Sequence, residues 1–235
     1  MRSGVCQVVV LGVDGCPGGG WVGALVSART VRLLALPDAR AVLAVDAEAI
    51  AIDIPIGLPD SGPRRSDVAA RRLLGSRGVC VFPAPVRAVL TADSYADACA
   101  AARRASGRAL SRQTWGIVPR IADLDRRLGT RPGLLDRRVI EAHPELSFLT
   151  WHGTNQPLPA KKTPAGRAAR MELVGSWLGE LPALPRPARL EDALDALACA
   201  WTAQRWLTGE ARILPEDGAP TPPRDALGRP MRIVA

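Results

Sequence analysis

A chain of 235 residues with 47% hydrophobic content can fill one large domain, or a domain carrying an insertion, around a buried core. No apolar run approaches the roughly 18 to 20 residues of a membrane helix, and residues 8–13 run straight into Asp14 without a signal-peptide layout. Five cysteines, odd in number and without a CxxC pair, suit free thiols in a reducing compartment, so the sequence reads as soluble, cytoplasmic and without a membrane partner.

The formal charge of +8 is regional. Residues 64–138 hold sixteen arginines against six aspartates, whereas the rest of the chain is close to balanced. That concentration fits a surface for the phosphate backbone of nucleic acid. The plain alternative is an arginine-heavy codon bias decorating solvated helices, since Lys161 and Lys162 are the only lysines.

Three strands open the chain, at residues 7–13, 21–27 and 31–36, joined tightly enough for an antiparallel meander. A short helix at 38–44 leads to a fourth strand at 49–54, whose continuous apolar character suits burial on both faces beside the first strand. A helical, Arg-rich insertion covers about 60–138, with helices at 66–74, 94–105 and 121–128 interrupted by glycines and prolines, Pro119 among them. A fifth strand at 138–142 delivers Glu141, and His143-Pro144 opens a helix towards Trp151. A polar loop at 153–165, a helix at 166–178, a Pro-rich connector and a long helix at 190–208 follow, and the tail from about 214 to 235 reads as irregular. The whole is expected to be a single α/β domain around a mixed five-stranded sheet flanked by helices.

Acids sit at the ends of the strands. Asp14 closes the first, Asp53 interrupts the fourth and Glu141 ends the fifth, while Asp192 and Asp195 stand at i, i+3 on the last helix, Asp195 being the one charge in an apolar run. A buried carboxylate needs a cation or hydrogen bonds, so the chain either holds an ion pair there or builds a metal site. In open α/β sheets functional groups collect at the carboxyl ends of strands. Hard carboxylate oxygens without a Cys or His ligand spacing select Mg2+ or Mn2+, and two such ions would activate a water and stabilise a leaving oxygen in phosphodiester cleavage.

These features resemble the ribonuclease H-like superfamily, and Asp192-Ala-Leu-Asp195-Ala-Leu-Ala is similar to the last motif of the Holliday-junction resolvases. Five motifs in order also resemble the predicted ribonuclease H-like nucleases known as domain of unknown function 429, over about residues 8–207. They are Val13-Asp14-Gly-Cys-Pro-Gly-Gly, Ile52-Asp53-Ile-Pro-Ile-Gly57, Asp67 with Ala70-Arg71 and Leu74-Gly75-Ser-Arg77, Val81-Phe82-Pro-Ala-Pro85-Val-Arg87, and Glu141-Ala-His-Pro-Glu145. The resemblance implies a ribonuclease H-like fold and a Mg2+- or Mn2+-dependent nuclease acting on DNA or RNA. Asp14 and Asp53 would be its central metal ligands, with Asp192 and Asp195 the helix-borne ones. The resolvases usually have Glu in place of Asp53. Glu141 and His143, from the narrower family's motif, would serve as ligand, general base or hydrogen-bond support. Arg71, Arg77 and Arg87, inside the motifs, become the candidate phosphate-binding set.

Each candidate also has a structural reading. Asp14 before Gly15 suits a turn, Asp53 a cap for the turn at Pro55, Asp192 a helix N-terminus, and His143 a simple hydrogen bond. Asp195 would pair with an arginine such as Arg71 or Arg120. The glycines at 15–20 join two strands and lack the Lys-Ser/Thr of a phosphate loop, so they read as hairpin geometry. Only Trp115 and Trp151 sit where stacking on a base is plausible. Two other functions fit the same acids: an ATP-binding phosphotransferase of the actin and sugar-kinase type, and a nucleic-acid-binding module without catalysis. The sequence sets neither the choice of DNA or RNA nor the oligomeric state.

Overall fold

Alternation of period two along the first strand decides how the molecule is layered. In the computed structural model, which describes residues 8–129, 132–154, 156–216, 218 and 221–235, β1 is Val9–Gly15. It pairs antiparallel with β2 (Trp21–Ser27), and β2 pairs with β3 (Thr30–Leu36). Asp38 caps α1 (Ala39–Ala44) by accepting from the Ala41 amide at 2.8 Å. The wholly buried β4 (Ala49–Ile52) then lies parallel to β1, and β5 (Val139–Glu141) lies parallel to β4. The sheet order is β3-β2-β1-β4-β5, so the carboxyl ends of β1, β4 and β5 lie side by side.

Between β4 and β5 the chain is helical: α2 (Arg65–Leu73), two short 3-10 turns, α3 (Tyr95–Ser106), α4 (Arg112–Leu128) and α5 (Pro132–Arg137). After β5 come α6 (Pro144–His152), α7 (Pro164–Leu178) and α8 (Leu190–Thr208). No helix among the described residues is long and apolar enough to cross a membrane.

Val10, Ala49 and Ala51 face α8 through Leu194, Ala196, Leu197 and Ala200. Leu11, Val13, Ile50 and Ile52 face the other way, onto Ile121, Leu124 and Leu128 of α4. Asp14 continues the parity of Val10 and Gly12, so it emerges on the α8 side. The contact there is unusually close: a Cβ at Gly12 would lie 2.0 Å from the Ala196 carbonyl oxygen and 2.1 Å from the Ala200 amide nitrogen. A glycine on the strand and alanines on the helix let α8 lie directly on β1, bringing Asp195 down beside Asp14.

Two expectations are corrected. Pro119 does not interrupt the insertion, because α4 runs through it. Ser111 caps the helix start, accepting from the Thr114 amide at 3.0 Å, and buried Val118, Ile121, Leu124 and Leu128 supply packing that outweighs the lost backbone bond. Nor is the tail irregular throughout: β6 (Ile213–Leu214) and β7 (Ile233–Val234) pair antiparallel, and Val234 bridges in parallel to Ala142 beside β5. Leu214, Ile233 and Val234 are buried, so this short apolar end offsets the cost of ordering a Pro-rich segment. Cys6, Gln7 of the expected first strand, and tail positions 217, 219 and 220 lie outside the described residues. The described cysteines, Cys16, Cys80, Cys99 and Cys199, are free.

A Gly12→Ala substitution forces α8 off the sheet. We expect it to cost at least ~2 kcal/mol, the scale of overpacking a tight core, in denaturant unfolding monitored by circular dichroism. A loss below ~0.5 kcal/mol would contradict this packing, since that is the range of neutral surface changes.

Candidate functional site

Asp14 near the end of β1, Asp53 just after β4 and Asp195 on α8 line one cavity of about 550 Å3. The Asp53 amide donates to the Val13 carbonyl at 2.9 Å, continuing the β1–β4 ladder by one step and placing the two carboxyl groups side by side. Asp14 also accepts from the Gly15 amide at 2.7 Å. Burial, then repulsion from Asp53 and Asp195, holds the Asp14 carboxyl well above the usual range. Burial raises Asp53 too, against the pull of His143 and Lys161. Asp195 is pushed up to about 6 by burial, with Lys161 opposing.

Lys161 is the cation on this cluster. Its ammonium donates to Asp195 Oδ2, while Asp195 Oδ1 is buried without a hydrogen-bond partner. The two arginines expected as partners for Asp195 are engaged elsewhere: Arg71 donates to the Val81 carbonyl at 2.7 Å and Arg120 to the Cys16 carbonyl at 2.5 Å.

The loop bearing Lys161 is fastened from beneath. Arg170 of α7, only 1% exposed, makes a two-pronged pair with Glu145 of α6 at 2.8 and 2.9 Å. It also donates to the Pro159 carbonyl at 2.9 Å and the Gly166 carbonyl at 2.8 Å. Thr163 caps α7 by accepting from the Gly166 amide at 3.1 Å. A Cβ at Gly166 would lie 2.1 Å from the Ala160 carbonyl oxygen, so only glycine lets the loop fold this tightly onto the helix start.

Glu141 lines the same cavity but is engaged by a different cation. With Val139, it has the opposite parity to Ile140, which faces α8, and it meets Arg64, which is 2% exposed. Arg64 reaches Glu141 at 2.7 and 2.6 Å and Asp67 at 3.0 and 2.5 Å, and donates to the Ile56 and Gly57 carbonyls. Glu141 further accepts from the Ile56 amide at 2.6 Å and Asp67 from the Ala84 amide at 2.8 Å. This saturated network anchors the strand ends to α2. Burial pushes the Glu141 carboxyl up to about 7 despite the pull of Arg64.

The other expected site residues divide. His143 lines the cavity, with Nε2 3.4 Å from the Cys80 carbonyl oxygen and Nδ1 buried without a partner. Arg77 lines it as well and pairs with Glu145 at 3.3 Å. Arg71 is exposed and does not line the cavity. Arg87 is bound to Asp125 at 3.0 Å and to Asp225, tying α4 to the tail. Asp192 accepts from the Arg189 amide at 2.9 Å, capping α8, and its charge reaches Asp14 only at a distance. Among the described residues, no group of three or more His, Cys, Asp or Glu side chains is disposed to hold a metal ion.

Sequence reasoning passed over Lys161 and Arg170 as site-building residues. A signal existed for the first: in a chain whose other 29 basic residues are arginine, a lysine pair after a polar loop is an exception.

Fold and site together define an α/β protein with a carboxylate and lysine cavity at the carboxyl edge of its parallel strands. It belongs to DUF429, a family described as proteins of unknown function, whose model matches residues 12–219. No curated protein and no solved structure matches the chain.

Because the folded Glu141 carboxyl holds its proton up to about 7, against 4.5 ordinarily, its contribution to stability is full below pH 4.5 and is lost as pH rises through about 7. We expect Glu141→Gln, whatever its absolute cost, to fall less steeply in stability between pH 5 and 7.5 than the wild type in urea unfolding. Parallel pH profiles would contradict this.

Proposed function

We propose that the protein is a Mg2+- or Mn2+-dependent nuclease of the ribonuclease H-like kind, hydrolysing phosphodiester bonds in DNA or RNA. One observation carries the reading. Asp14 and Asp53, on adjacent parallel strands, and Asp195, from the helix across them, converge in one cavity where burial and mutual repulsion disfavour their charges. A divalent cation relieves that strain. The donor set fits it: the oxygens are hard, Asp195 Oδ1 is unpartnered, and Mg2+ is commonly held by one or two carboxylates together with substrate phosphate oxygens. The strand order, three antiparallel strands followed by two parallel ones, supports the resemblance to the ribonuclease H-like fold.

Asp14 and Asp53 would hold the cation, with Asp195 beside them. When bound, the cation supplies a polarised phosphate and a water activated at neutral pH. Arg120, whose guanidinium packs against Gly15, and Arg77 face the cavity and offer planar donors to phosphate oxygens. Phe82 and Val79, 43% and 70% exposed, line the same cavity and give a base an apolar face to rest on. The volume, about 550 Å3, lies within the range of small-molecule pockets and suits one nucleotide of a longer strand.

The approach is basic. Arg103, Arg104, Arg108 and Arg112 are exposed around the junction of α3 and α4, and Arg112 precedes Arg120 by eight residues, about 12 Å along the helix at 1.5 Å per residue. This row favours a polymeric phosphate chain over an isolated phosphoester.

Asp14→Asn and Asp53→Asn should each lower Mn2+-dependent cleavage of labelled nucleic acid by at least ~100-fold, the scale of losing a few kcal/mol of transition-state stabilisation, while the protein stays folded. Asp192→Asn preserves a helix cap and should leave cleavage within about threefold. Full cleavage by both Asp14 and Asp53 variants would remove the proposal.

A further inference from the structure

We infer that the cavity is built for one divalent cation, the ammonium of Lys161 standing where a second would lie. The inference rests on the nuclease reading and departs from a four-carboxylate, two-ion centre on three observations. Asp192 is committed to the cap of α8 through the Arg189 amide. Asp195, 2% exposed, is engaged by Lys161 on one oxygen, while its other oxygen is buried without a partner. No triad of acids disposed for a metal remains among the described residues, leaving Asp14 and Asp53 as the pair available to a cation.

Charge balance points the same way. Asp14, Asp53 and Asp195 carry three negative charges when ionised, which one divalent ion and one ammonium offset. A second divalent ion on Asp195 would face a positive charge held in place by its loop, because Arg170, Glu145 and Gly166 fix the backbone around residues 159–166. Like charges so close repel one another. Lysine suits this position better than arginine. Its charge is compact, and an ammonium donating one proton to Asp195 keeps two donors for the phosphate.

In the reaction, the water oxygen bonds to phosphorus as the bond to the leaving oxygen breaks. The water gives up one proton and the leaving oxygen takes one up, so hydrolysis is proton-neutral. Lys161 moves no proton. It remains charged throughout and stabilises the negative charge that gathers on the phosphate oxygens.

The test is a Mn2+ titration of the full chain followed by electron paramagnetic resonance, with circular dichroism to show that each variant is folded. Wild type should bind one Mn2+ per chain, Lys161→Met two, and Lys161→Arg, which keeps the charge, one. Two ions in the wild type, or one in both the wild type and Lys161→Met, would overturn the inference and leave the nuclease reading standing. No bound ion and no cleavage in the wild type would end both.

Discussion

The contact between Gly12 and the Ala196–Ala200 turn of α8 is the constraint on which the site depends. β1 is the central strand, and α8 is the longest helix and lies across it. A side chain at position 12 would hold the helix away, and Asp195 would leave the strand ends with it. The absence of a single Cβ therefore sets the distance between a helix-borne carboxylate and two strand-borne ones. The alanines of α8 serve the same purpose, trading side-chain volume for proximity of backbones. Such a trade is stable only where both surfaces are small and the interior is fully packed.

Strand parity then sorts the acids. Asp14 and Asp53 fall on the side of the sheet that faces α8, and Glu141 falls on the other. The consequence is chemical. On one side carboxyl groups crowd together with Lys161 and unmet hydrogen-bonding capacity. On the other, Arg64 saturates Glu141 and Asp67 with donors from a rigid fork. A satisfied ion network holds structure in place, whereas an unsatisfied one invites a ligand. Among the arginines, Arg87 and Arg170 are bound into ion pairs that fix the tail and the lysine loop, while Arg77, paired with Glu145, and Arg120 line the cavity.

Much of this was legible in the sequence. The sheet strands and the helices after β5 could be placed because their apolar runs and turn residues are local signals, and Asp14, Asp53 and Asp195 stood out as charges at the edge of apolar segments. The rest depended on information that spacing does not carry. That Glu141 would pair with Arg64, 77 positions away in sequence, follows from the parity of a three-residue strand and from the path of α2. That Asp195 would meet Lys161 rather than Arg71 or Arg120 follows from a loop whose position is set by Arg170 and Gly166. Asp192 shared the helical spacing of a ligand pair, but at the first turn of α8 the backbone amide of Arg189 claims its carboxylate. The tail was misread because its prolines masked four apolar residues, Ile213, Leu214, Ile233 and Val234, that pair at a distance.

The central claim is that folding gathers Asp14 and Asp53 into a site for a divalent ion next to Asp195. A crystal soaked in Mn2+ and measured for anomalous scattering addresses it directly. The account predicts a peak bound by the carboxyl groups of Asp14 and Asp53, with the ammonium of Lys161 still on Asp195. A cavity without a peak at saturating Mn2+ would contradict it.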